Sequence, residues 1–219
     1  MGIIAEDVNN VKIRISGIIN ESIVDGPGLR MVVFAQGCNR ACPGCHNPET
    51  HALDGGYETS AYELFDSARS NPLLRGITFS GGEPFLQARA FSALARLARG
   101  AGLDIFTYTG YTIEELLEIS GIVNDCPGAP AKNKGAFDPA GGDDDSDDND
   151  DSSGEADTGG EADTSGETDT SGFRELLELT DILVDGAYVQ ELRTFDAPYR
   201  GSENQRVIDV AATLRQFGA

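Results

Sequence analysis

The sequence predicts an α/β chain: about five or six mainly parallel strands with crossover helices, curved into an incomplete barrel. Runs of strand character alternate along the chain with segments of helical periodicity, which is the pattern of a parallel sheet. The strands number six, too few to close the eight-stranded ring of a full (β/α) barrel. Setting aside one acidic stretch leaves 184 of the 219 residues, which suits one domain with one core. The whole chain, 1–219, is therefore read as a single domain.

Residues 11–15, Val-Lys-Ile-Arg-Ile, alternate apolar and polar and read as a half-buried strand. Residues 23–29 are turn-rich. Residues 31–35, Met-Val-Val-Phe-Ala, form a short apolar run, as in a strand buried on both faces. Ser60 with Glu63 makes a capping-box signature and opens a helix that ends before Asn71-Pro72. Residues 76–79 give the next strand. Leu86, Ala90, Leu94, Leu97 and Ala98 share one helical face, with Gly100 as the expected stop. Residues 103–108 form a strand. Thr112 and Glu115 make a second capping box, for a helix running to about Ile119. Residues 181–185 and 206–210 complete the strands.

The unusual sequences come directly after the strands. Three cysteines follow the second strand, and Ser80-Gly-Gly-Glu-Pro84 follows the third. Thr109-Gly-Tyr111 and Gly186 follow the next two. In a parallel β/α architecture the strand C-termini share one face, so these four segments are expected to converge there.

Residues 122–172 break the pattern. Three near-copies of one hexapeptide begin at Gly154, Gly160 and Gly166, after a run rich in Asp. Such a composition has almost nothing apolar to bury, and disorder is expected. The segment joins a helix to the next strand and is expected on the face away from the strand C-termini. A calcium loop is the alternative to a solvated tether. The Asp run lacks the glycine and terminal glutamate of an EF-hand loop, and the tether is preferred.

Charge follows the same division. The chain has 37 acidic and 16 basic residues, for a net charge of −21. Fourteen of the acids and none of the bases lie in residues 138–172. The acidity excludes nucleic acid and anionic membranes as partners, because both demand a basic surface. No apolar run approaches the ~20 residues of a membrane span. Met-Gly-Ile-Ile-Ala-Glu-Asp at the N-terminus has neither a secretory pattern nor a myristoylation context. A soluble, cytoplasmic protein is expected.

Cys38, Cys42 and Cys45 are spaced Cys-x-x-x-Cys-x-x-Cys. Clustered thiolates are soft ligands suited to zinc or an iron–sulfur cluster. A structural zinc site would recruit His46 or Cys126 as fourth ligand. A four-iron cluster would be left with one iron open to a ligand from outside the protein.

The cysteine spacing after one strand and Gly81-Gly82-Glu83-Pro84 after the next together resemble the radical S-adenosylmethionine (SAM) enzymes. Residues 22–30, 34–38 and 46–50 resemble the glycyl-radical activating enzymes among them. Residues 108–112, 183–186 and 200–206 look like the members that act on anaerobic ribonucleoside-triphosphate reductase. The resemblance covers 11–121 and 173–210.

The resemblance implies a 4Fe-4S cluster held by Cys38, Cys42 and Cys45, with SAM on its open iron. By motif position, Gly44, Cys45, His46, Gly81, Gly82 and Glu83 would bind SAM. Reductive cleavage would give methionine and a 5′-deoxyadenosyl radical, which takes a hydrogen from a glycine of the partner. The implied partners are the large subunit of the reductase and a low-potential electron donor such as flavodoxin or ferredoxin. The cofactors carry the chemistry, so no catalytic acid or base is expected. Asp25, Arg30 and Thr109 are further pocket candidates, set against plain roles as turn former, surface charge and strand-end cap. His51 has no motif role, and Cys126 is expected to be a free thiol. Residues 200–206 are expected either to cap the last strand or to touch the partner. The alternatives are an activator of pyruvate formate-lyase and a small-molecule radical SAM enzyme.

Overall fold

The computed structural model describes residues 10–122 and 169–217. Seven strands form one sheet: β1 (Lys12–Ser22), β2 (Arg30–Ala35), β3 (Tyr57–Ser60), β4 (Gly76–Gly81), β5 (Asp104–Tyr108), β6 (Ile182–Asp185) and β7 (Arg206–Asp209). The order across the sheet is β3-β1-β2-β4-β5-β6-β7. β2, β4, β5 and β6 are parallel neighbours and form the centre. β1 pairs antiparallel with β2 and β3, and β7 pairs antiparallel with β6. β3 and β7 are the two edges and do not pair with each other, so the sheet is open among the described residues.

The sheet thus has one strand more than the sequence predicts, and its parallel character is confined to the centre. The unforeseen strand is β3. Its edge sequence, Tyr-Glu-Thr-Ser, lacks the apolar alternation that reveals a half-buried strand. β1 also runs well past Ile15, to Ser22.

Strand side chains alternate between two faces. Met31, Val33, Ile77, Phe79, Ile105 and Leu183 face the helices and form the main core. On the other face, buried Arg30 donates through Nε to Thr78 Oγ1 at 2.8 Å, and its guanidinium lies over the Phe106 ring.

The helices are α1 (Ala61–Arg69), α2 (Ala88–Gly100), α3 (Ile113–Ile119), α4 (Phe173–Leu179) and α5 (Val210–Gln216). Both expected capping boxes are present, at Ser60/Glu63 and Thr112/Glu115. The expected stop of α2 needs correction. Gly100 is still helical, and the left-handed residue is Gly102 at φ +82°. Gly102 N–H donates to Arg99 O and Leu103 N–H to Ala98 O, which closes the helix as a Schellman motif.

The disorder expected for the acidic insert falls outside the described residues, except at its ends. Ile122, taken as its first residue, is buried in the core. The far end also departs from expectation. α4 begins at Phe173, whose ring packs against Phe85 at 5.2 Å and Tyr111 at 5.5 Å. Both partners lie just beyond strand C-termini, so the chain re-enters on the motif side of the sheet, not the opposite one. Phe173 is fully buried, and this burial draws the end of the connection there.

Candidate functional site

The four segments that follow the parallel strands meet around one cavity. Its walls include Cys38, Cys42, Cys45, His46, Ser80, Gly81, Gly82 and Glu83. Tyr108, Thr109, Gly110, Gly186, Gly201 and Gln205 also line it. The sheet topology is the cause: β2, β4, β5 and β6 are adjacent and parallel, so their C-termini are neighbours.

The cysteine loop leaves β2 through three left-handed residues, Gly37 (φ +95°), Ala41 (φ +43°) and Gly44 (φ +68°). Its base is tied down by Gly37 N–H to Thr50 O at 2.8 Å and Cys38 N–H to His51 O at 3.2 Å. All three thiols are free and partly accessible. Arg40 N–H points at Cys38 Sγ and Asn47 N–H at Cys45 Sγ, each at 3.4 Å. Burial pushes the Cys38 thiol pKa up, against the backbone N–H groups that favour its thiolate.

Gly81 and Gly82 run alongside the end of β2. Gly82 N–H donates to Ala35 O and Glu83 N–H to Gly37 O, both at 2.8 Å. A Cβ on Gly82 would lie 2.2 Å from Gly37 O, and one on Gly81 would lie 2.7 Å from Phe34 Cα. The glycines are therefore required first by the chain's own packing, before any ligand enters. Gly44 differs: the nearest atom to a Cβ there is the movable end of exposed Gln190, and it is the left-handed backbone that favours glycine.

Glu83 is 1% exposed. Its carboxylate accepts from Phe85 N–H (3.0 Å), Gly110 N–H (2.8 Å) and Thr109 Oγ1 (2.9 Å). Burial outweighs these donors and pushes its pKa up to about 7. Glu83 thus bolts the end of β4 to the end of β5, and Thr109 is the other half of the bolt.

The segment after β6 lines the cavity through Gly186, Tyr188, Gly201 and Gln205. Tyr188 packs its ring on His46 at 4.6 Å. Gln205 accepts from Gly201 N–H at 2.8 Å and donates to Gly186 O at 3.0 Å. Arg206 is held by Asp185 and by Glu114, so it serves the strand cap rather than a free basic surface. Asp185 also accepts from Ile113 N–H at the start of α3, at 2.8 Å.

Two of the further pocket candidates lie elsewhere. Arg30 starts β2, at the opposite end from the cysteines. It is fully buried, donating to Ile77 O and pairing with Asp104 at 2.5 Å. Asp25 accepts from Ser22 Oγ at 2.5 Å in the loop beside it. Neither lines the cavity. His51, for which no motif gives a role, does line it. Cys126 lies outside the described residues.

The residues fit an iron–sulfur cluster. Cys38, Cys42 and Cys45 offer three free, partly accessible thiols, and thiolates are the ligands such a cluster takes. All three line the wall of one cavity, where each could serve one iron of a cluster.

Comparison with known proteins agrees with this donor set. The family model "4Fe-4S single cluster domain" matches residues 24–127 and 161–208, passing over the middle of the acidic insert. The pyruvate formate-lyase-activating enzyme of Clostridium pasteurianum is 39% identical over half of each chain. The anaerobic ribonucleoside-triphosphate reductase-activating protein of Salmonella typhimurium is 35% identical over 43% of this chain and 66% of its own. The protein of that name from Vibrio cholerae is 27% identical over 84% of this chain and 89% of its own. The matched part spans half or less of the pyruvate formate-lyase-activating enzymes.

Proposed function

Because the chain belongs to the 4Fe-4S single cluster domain family, we propose that it is a radical SAM enzyme that places a glycyl radical on anaerobic ribonucleoside-triphosphate reductase. The observation that carries this reading is the meeting of three free thiols with the Gly81–Glu83 strand end in one cavity. When bound and reduced, the cluster would supply the single electron for reductive cleavage of SAM.

The chain's own residues do the rest. Cys38, Cys42 and Cys45 hold the iron. The Gly81–Gly82 edge would receive the amino group of SAM, and Gly44 to His46 would face its adenine. Glu83, sealed by its own donors, serves by holding Thr109 and Gly110 against that edge. The His46–Tyr188 contact and the Gln205 bridge hold the segment after β6 at the cavity wall. The Vibrio relative supports the choice of partner, because it aligns along nearly its whole length.

Higher identity to pyruvate formate-lyase-activating enzymes favours a second reading, in which pyruvate formate-lyase is the partner. One anaerobic experiment separates the two. The reconstituted chain, SAM and a reductant are mixed with each partner in turn and watched by EPR. A glycyl doublet with the reductase supports the first reading. A doublet with pyruvate formate-lyase alone supports the second, and SAM cleavage with neither rules out both partners. On this reading the chain works as a single domain, and the acidic segment takes no part in the chemistry.

A further inference from the structure

We propose that His51 donates a hydrogen bond from Nε2 to a sulfur of the cluster and so sets its reduction potential. The inference rests on the cluster reading above and concerns a residue that the cysteine and glycine motifs leave without a role.

Three observations carry it. His51 lines the same cavity as the three cysteines. Its position is fixed from the backbone, since His51 O accepts from Cys38 N–H at 3.2 Å and His51 N–H donates to Pro48 O at 3.2 Å. Its Nε2 is buried and finds no hydrogen-bond partner among the described residues. The chain's other histidine differs: His46 is exposed and packs its ring on Tyr188.

A buried polar nitrogen left unpaired costs about 1–3 kcal/mol, and such a group in a binding cavity signals a partner that arrives with the ligand. The backbone N–H groups of Arg40 and Asn47 already point at two of the sulfurs. An imidazole N–H on the same cavity adds a side-chain donor to this set. Reduction adds one negative charge to the cluster. A donor to sulfur stabilises the reduced state more than the oxidised one, and so raises the potential.

The test uses the full chain, reconstituted anaerobically and titrated without SAM, so that no activity is needed. His51→Leu should hold the same iron and titrate at a more negative potential than wild type. His51→Gln keeps an N–H donor and should titrate between the two. A loaded His51→Leu protein with the wild-type potential overturns the inference while leaving the cluster reading intact. A wild-type chain that takes up no iron overturns both. Should His51→Leu fail to load, pulsed EPR of reduced, ¹⁵N-histidine-labelled His46→Gln protein decides. A weak nitrogen coupling of hydrogen-bond size supports the inference. No coupling, or one strong enough for direct ligation to iron, overturns it.

Discussion

Thr109 Oγ1 reaches both carboxylate oxygens of Glu83, at 2.9 and 3.0 Å, and all of these atoms are buried. One hydroxyl thereby joins the ends of two parallel strands at the cavity wall. Thr109→Val keeps the shape and removes the donor. It should cost about 1–3 kcal/mol, because a buried acceptor loses a partner. Thr109→Ser should recover most of the loss. Anaerobic thermal melts of the two loaded variants, side by side, check this.

Glu83 gives a pH signature. Its pKa is raised by burial to about 7 from the ordinary 4.5. Between those values the folded chain holds a proton that the unfolded chain has released. Stability from this group is therefore full below about 4.5 and falls until pH passes about 7. Glu83→Gln has no such proton to lose. The variant's melting temperature, relative to wild type, should improve between pH 5.5 and pH 8. A difference that stays flat or moves the other way would mean that Glu83 is ionised throughout this range.

Gly82→Ala tests the junction between the two motifs. The new Cβ would meet Gly37 O at 2.2 Å and Ala35 O at 3.1 Å, and both are backbone atoms. Overpacking of this kind costs about 1–3 kcal/mol. Because Gly37 directly precedes Cys38, iron content should fall together with melting temperature. An alanine variant that loads iron normally and melts as wild type would show that the two segments move apart freely.

Cys42→Ala should abolish cluster assembly, read as lost iron and lost visible absorbance, whereas Cys126→Ala should change neither. Loss of iron in the Cys126 variant would give the cluster a fourth protein ligand and leave no open iron.

Deletions in the acidic segment should depend on where they stop. Removing residues 138–168 should leave iron loading and SAM cleavage near wild-type levels. Removing 138–172 also takes Gly172, where a Cβ would lie 2.6 Å from Arg89 N, and puts Phe137 next to Phe173. This longer deletion should lower the melting temperature and loosen Phe173 from Phe85 and Tyr111. Equal behaviour of the two deletions would remove the anchoring role given to that end.

Much of the fold was legible because local signals agreed with the global arrangement. The Ser60 and Thr112 capping boxes marked two helix starts, and the apolar run at Met31 marked a central strand. The three cysteines and the glycine pair were placed together by topology alone. What could not be read was tertiary in origin. α4 has no capping side chain at Gly172, and a low-complexity run precedes it, so no local signal announced it. An arginine is ordinarily a surface residue, and only the assembled sheet shows Arg30 enclosed by Thr78, Ile77 and Asp104. His51 belongs to no motif, and only the cavity reveals where it faces. The glycine pair was expected, from its motif, to bind SAM, and only the assembled sheet shows that a Cβ there would first meet the backbone of Phe34 and Gly37.

That last contact bears on how the two halves of the site behave in time. Gly82 and Glu83 are hydrogen-bonded to Ala35 and Gly37, the residues that lead into the cysteine loop. The glycine edge and the base of the metal-binding loop therefore share one backbone frame. A displacement of one is transmitted to the other instead of opening a gap between them. The spacing between the two is therefore a property of the chain's own backbone. Whatever seats across both motifs meets a spacing that was set before it arrived.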